Sequence, residues 1–176
     1  MRASLMERFD VKRGLMKQIM EDGGLGVLGK KYFDNVEEDG KTSFSGSHDI
    51  MTSIKAHFSE GGALVIDVTN VPPNFDDPEA MKIAQDSRKR WTQFLDEATG
   101  YNSKQRGDKA KEWAKKASKA KSAVNAARHF MKLSSNVSEE VKAQAESLIE
   151  EIETALKENE NTRAAGRGEK LDKLFK

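Results

Sequence analysis

Apolar positions repeat every second residue in one stretch of the chain and every third or fourth elsewhere, and the change of period divides the molecule near residue 100. In residues 49–58, Ile50, Thr52, Ile54, Ala56 and Phe58 share one face. In residues 63–70, Leu64, Ile66 and Val68 alternate with Val65 and Asp67. Ser59-Glu60-Gly61-Gly62 lies between them as a turn, so the two runs predict an antiparallel hairpin. Residues 5–12 predict a further strand, with Phe9 and Val11 alternating against charged neighbours, and the short Ser/Thr-rich run 41–46 predicts another. Leu15, Met16, Ile19 and Met20 suggest a short helix, ended by the run G-G-L-G-V-L-G that begins at Gly23. Residues 30–36 follow as a short helical or extended piece.

Pro72-Pro73 closes the sheet region, and Asp77-Pro78 opens a helix with an N-cap and a proline at its first position. Met81, Ala84, Arg88, Trp91, Leu95 and Ala98 keep a three-to-four spacing as far as Gly100, which fits a C′ residue. This helix lays Trp91, Phe94 and Leu95 on the sheet. The expected fold class is α+β, a small antiparallel sheet of three or four strands in the order β-α-β-β-β-α, covered by the 78–99 helix.

Beyond Gly100 the sheet signals stop. Residues 103–133 predict a Lys/Ala helix, with Gly107 as a point of interruption and a stripe of Ala110, Trp113, Ala114, Ala117, Ala120, Val124, Ala127 and Met131. Ser134-Ser135-Asn136 is a turn, and Ser138 caps an acidic helix to about residue 158, with Val141, Ala145, Leu148, Ile149, Ile152 and Leu156 on one face. Two amphipathic helices joined by a short turn predict an αα-hairpin. The domains expected are thus an α+β domain over 1–100, a helical hairpin over 101–158, and a flexible basic tail over 159–176 whose end forms a helical turn.

Composition narrows the class. Of 176 residues, 36% are hydrophobic and 34% charged, so the core is modest. The absence of cysteine excludes disulfides, a thiol nucleophile and a cysteine-ligated metal. No run approaches the roughly 20 apolar residues that span a bilayer, and the opening M-R-A-S-L-M-E-R-F-D lacks the apolar stretch of a secretory signal. A soluble cytoplasmic protein without a membrane partner is the expectation.

The net charge of +1 conceals alternating blocks. Residues 1–100 carry 13 Lys and Arg against 17 acids, while residues 101–133 carry 10 against 2. Residues 134–162 reverse this with 2 against 8, and 163–176 return to 5 against 2. Such blocks create local fields. The basic block is the strongest functional hint: Lys104, Arg106, Lys109, Lys111, Lys115, Lys116, Lys119, Lys121, Arg128 and Lys132 lie on one helix. Phosphate backbones reward such density through counterion release, and Trp113 has the chemistry to stack on an unpaired base. An equally physical account makes the lysines the solvated face of a helix paired with the acidic one, with Trp113 sealing the pair.

Other patterns are weaker. Gly24, Gly26 and Gly29 fit G-x-G-x-x-G, and Gly24 to Lys30 fits the first seven positions of a P-loop. Lys31 stands where a P-loop needs Ser or Thr for magnesium, and both motifs should leave an apolar strand, whereas M-E-D at Met20 ends a helix. A turned or flexible loop is the simpler account. His48, His57 and His129 show no metal-ligand spacing among themselves. His48-Asp49 fits a general-base pair with Ser45 or Ser47 as nominal nucleophile, but no nucleophile elbow surrounds them. Glu37-Glu38 and Asp76-Asp77 suit turns and caps. No catalytic residue, cofactor or metal is expected.

The run F-L-D-E-A-T-G-Y-N-S-K-Q-R, from Phe94 to Arg106, is more distinctive. It resembles the end of a small uncharacterised archaeal domain family whose helix finishes F-L-x-E-A-T-G-Y-x-A-K-x-R, with Ser103 where alanine is usual. The opening F-D-V-K-R-G at Phe9 resembles that family's K-R-G start, and the similarity spans roughly residues 8–117. The resemblance implies an archaeal cytoplasmic origin and brings no activity or site. The element order also looks like one half of a TATA-binding-protein-like sheet, which favours a binding module over an enzyme. The sequence therefore points to a non-enzymatic accessory protein touching RNA or DNA through the basic helix, in a ribonucleoprotein particle. The alternative is an interaction module whose helical hairpin binds another protein or a second copy of itself.

Overall fold

The computed structural model describes residues 3–176, with side chains described from Met6 onward. The chain is α+β. Its elements are β1 (Ala3–Asp10), α1 (Leu15–Glu21), α2 (Leu25–Lys30), β2 (Asn35–Asp39), β3 (Ser43–His48), β4 (Met51–Phe58), β5 (Ala63–Asn70), α3 (Pro78–Thr99), α4 (Ser103–Leu133), α5 (Glu139–Lys157) and α6 (Asn161–Lys173). They form two compact units, the first ending at Lys109 and the second running from Ala110 to Lys176, so the division falls inside α4. The boundary expected at residue 100 is instead a corner between two helices of the first unit.

In the first unit the strands order β1-β5-β4-β3-β2, antiparallel at every pairing. The β4–β5 hairpin pairs Phe58 with Leu64 and Ile54 with Val68, as the period-two alternation requires. Five strands replace the three or four expected, and the order through α3 is β-α-α-β-β-β-β-α in place of β-α-β-β-β-α. The added strand, N-V-E-E-D, carries no alternation because it is an edge strand whose residues other than Val36 are exposed. Its acids also discourage pairing with another chain.

The added helix, α2, occupies the glycine run. Gly24 has φ +112, and a Cβ there would lie 2.8 Å from the Lys41 backbone. A Cβ on Gly29 would press into the Phe44 ring at 2.9 Å, and one on Gly26 into Glu38. The glycines thus let a helix lie close on β2 and β3. The Leu25 N–H donates to Lys41 O at 2.9 Å, so that amide of the glycine pattern serves the packing of α2 on the sheet.

Helix α3 begins as its sequence requires: Asp77 accepts the Glu79 N–H at 3.0 Å and Pro78 follows. It buries Phe94, Leu95 and Ala98 on the sheet, where Phe94 meets Phe33, Phe44 and Trp91 at centroid distances of 5.2–5.8 Å. The motif from Phe94 to Arg106 is a structural corner. Gly100 ends α3 in the left-handed conformation. Asn102 and Gln105 then exchange backbone-to-side-chain hydrogen bonds of 2.9 Å in a capping box that starts α4. Arg106 is buried; its guanidinium donates to Asp96, to Tyr101 O at 2.7 Å and to Ser103 Oγ at 3.0 Å.

The second unit is three-helical. Ala120, Ala123, Val124 and Ala127 of α4 pack with Ala145, Ile149, Ile152 and Ala155 of α5 and with Ala164 and Leu171 of α6. The small residues of α4 permit close approach. Ser138 caps α5, accepting from Val141 N at 3.1 Å. Gly107 does not interrupt α4. The flexible tail expected over 159–176 is corrected to helix α6, because Ala164 and Leu171 are fully buried and need a regular helix to reach the core together.

Candidate functional site

The basic residues of α4 separate by what surrounds them. Arg106 is committed to the corner just described. Lys104 is exposed, and Lys109 holds its ammonium 5.5 Å from the centroid of the Tyr101 ring. In the second unit three cations are drawn to the neighbouring helices. Lys116 donates to Thr162 Oγ1 at 3.1 Å, Lys119 pairs with Glu169 at 2.9 Å, and Arg128 pairs with Glu153 at 2.7 Å. The Lys119 hydrogen bond holds the Glu169 carboxyl below the usual glutamate range.

Lys111, Lys115 and Lys121 are exposed and make no hydrogen bond or ion pair among the described residues. At about 100° per residue Lys111 and Lys115 fall on the side of α4 away from Ala120, Val124 and Ala127, while Lys121 lies on the flank, about 60° from Val124. Trp113 is half-buried on the core side, and its carbonyl accepts from Asn161 Nδ2 at 3.0 Å. The structure therefore leaves Lys111 and Lys115 exposed on one side of α4 and Lys121 exposed on its flank, and it withdraws Arg106 and Trp113 from solvent. Lys116, Lys119 and Arg128 are thus engaged by α5 and α6, while Lys111, Lys115 and Lys121 are not.

The face of the sheet turned away from α1 to α3 offers no comparable field. One cross-strand row reads Glu37, Ser45, Lys55, Asp67 and Met6; the next reads Asp39, Ser43, His57, Val65 and Arg8. Acids and bases nearly cancel, so phosphates gain little there.

A second constellation, absent from the sequence patterns, surrounds His48. The side chain stands at the end of β3 and is 3% exposed. Its Nδ1 accepts from the Asp34 N–H at 3.2 Å and lies 3.3 Å from Asp34 Oδ2. Its Nε2 lies 3.3 Å from Asp49 Oδ2 and 3.9 Å from Asp86 Oδ2, yet makes no hydrogen bond. Asp49 follows in the β3–β4 turn with φ +47, a left-handed conformation that aspartate tolerates. Asp86 projects from α3 and also accepts from Arg90 Nε at 2.9 Å. Only the His48-Asp49 neighbour pair is visible in the sequence; Asp34 and Asp86 arrive through tertiary folding. Neither Ser45 nor Ser47 bonds to His48, so no nucleophile–base pair forms among these residues.

A family model described as Domain of unknown function (DUF5611) covers residues 6–112, which is nearly the extent of the first unit. No curated protein and no solved structure matches the chain.

Proposed function

We propose that this chain, which belongs to the DUF5611 domain family, is a non-enzymatic accessory protein that grips the phosphate backbone of RNA or DNA through α4. The family carries no assigned activity, so the proposal rests on one observation: Lys111, Lys115 and Lys121 stand exposed along α4 without a hydrogen bond or ion pair among the described residues. Lys111 and Lys115 are about 6 Å apart along the axis, which suits successive contacts on one strand. We place this contact in a ribonucleoprotein particle on the charge of the basic block, and in an archaeal cytoplasm on the resemblance carried by the segment from Phe94 to Arg106. Replacing Lys111, Lys115 and Lys121 together by glutamate tests the proposal. Binding to labelled RNA and duplex DNA should weaken for all sequences alike, and the slope of log K against log salt should fall by about 0.7–0.9 per lost contact. Unchanged binding would reject the helix as the contact.

The alternative, a protein-interaction module, draws support from Phe130 and Leu133 at the end of α4, which are 43% and 71% exposed. The apolar stripe of α5 supports it less, because α4 and α6 bury that stripe. Pull-down of a protein partner that is lost in Leu133→Glu, with no nucleic-acid retention at low salt, would favour this alternative.

A further inference from the structure

We propose that His48, Asp49 and Asp86 form a binding site for a divalent transition-metal ion, with Asp34 as the residue that orients the histidine. The argument begins with an unsatisfied atom. A ring nitrogen buried to this degree ordinarily has a hydrogen-bond partner, because leaving it without one costs about 1–3 kcal/mol. His48 Nε2 has none, although two carboxylate oxygens lie 3.3 and 3.9 Å away. Those separations are poor for a hydrogen bond in this orientation and good for a shared cation. An ion about 2.0–2.2 Å from each of its ligands holds those ligand atoms about 3–4 Å apart. The three ligand atoms all lie within 4.8 Å of one another, so a small carboxylate rotation completes the grouping.

The ligand set states the kind of ion. One imidazole and two carboxylates make a mixed nitrogen–oxygen site, which suits zinc, manganese or ferrous iron better than a soft, thiolate-seeking ion. Asp49 and Asp86 are 42% and 51% exposed, so water reaches the remaining coordination positions. The surroundings fit as well. With Nδ1 accepting from the Asp34 amide, the neutral ring carries its proton on Nε2. Metal binding needs that nitrogen bare, so the proton moves to Nδ1, where the Asp34 carboxylate lies 3.3 Å away to accept it. The 3.2 Å amide bond is exchanged for a charge-assisted one, the arrangement that commonly backs a metal-bound histidine. The Phe33 ring, 6.3 Å from that of His48, screens the buried side. Arg90 shares Asp86 and is the internal competitor for the ion.

This inference is independent of α4 and of nucleic acid. The test uses the full chain, titrated with Mn²⁺ and with Zn²⁺ by calorimetry, beside the Asp49→Asn/Asp86→Asn variant. Both substitutions keep shape, and asparagine tolerates the left-handed backbone at 49. Circular dichroism without metal should therefore be unchanged. The wild type should bind one ion per chain and the double variant none at the same concentrations, while Asp34→Asn should weaken binding by about 10–100-fold. Nitrogen-15 spectra of His48 should show its proton moving from Nε2 to Nδ1 as zinc is added. Equal affinity in wild type and double variant would assign any bound ion to other acids, and no binding at millimolar metal, or an unmoved His48 proton, would overturn the site.

Discussion

In the first unit the Arg106 side chain is 7% exposed and ties Asp96 to the Tyr101 carbonyl at a helix corner; in the second, Arg128 is 52% exposed and pairs directly with Glu153 at the surface. The same contrast runs through both cores. The first is built on large aromatic residues beneath a sheet, and the second on alanines that bring three helices together. A charge taken out of water must be fully satisfied and so becomes part of the architecture. A charge left in water is held weakly and stays available to a partner. The proposed α4 contact uses cations of the second kind, and the same difference makes the unsatisfied nitrogen of His48, in the first unit, conspicuous.

The widest test of the contrast is in the cores. Phe94→Ala should cost about 3–5 kcal/mol, because it opens a cavity among Phe33, Phe44 and Trp91. Ile152→Ala should cost about 2–4 kcal/mol, since small neighbours close partly around it. Urea unfolding, followed through Trp91 in one unit and Trp113 in the other, separates the two losses. A reversed order would break the comparison of cores. Arg106→Gln comes next, at about 1–3 kcal/mol, from losing hydrogen bonds to Asp96 and the Tyr101 carbonyl. Arg128→Gln should cost below about 1 kcal/mol. If the two arginines cost the same, burial does not distinguish them.

The smallest effects are titrations. The Tyr32 hydroxyl donates to Glu97, and burial, that bond and the glutamate charge push its pKa up to about 12. The folded protein thus keeps a proton that the unfolded chain loses near its ordinary value of about 10. The resulting stability is complete below pH 10 and is lost as the pH rises toward 12. Ultraviolet titration of Glu97→Gln should show Tyr32 ionising earlier. Glu169 behaves oppositely: its lowered pKa adds stability that is present above the ordinary glutamate value and lost as acid protonates it. Carbon-13 titration of Lys119→Gln should return Glu169 toward that ordinary value.

The elements legible in the sequence are those where one physical signal dominates. Alternation marks β4 and β5, and caps with a long apolar period mark α3 and α5. Helix α2 was hidden because Gly24, Gly26 and Gly29 argue locally against a helix, and close packing on Phe44 and Glu38 overrides them. Strand β2 was hidden by edge acids, and α6 by Gly166 and Gly168, the latter lying against Ala120 and Ala123. For the basic helix, spacing located the lysines, but which of them are free depends on Glu153, Thr162 and Glu169 on other helices. The histidine cluster draws Asp34, His48, Asp49 and Asp86 from three separate places in the chain, a grouping that no linear spacing encodes.

The most direct test of nucleic-acid contact through α4 is retention of the full chain on labelled RNA and duplex DNA across a salt series, with the Lys111→Glu/Lys115→Glu/Lys121→Glu variant alongside. The account predicts binding at low salt that falls steeply as salt rises and is lost in the variant. No binding at the lowest salt, or a variant that binds as well as the wild type, would contradict it.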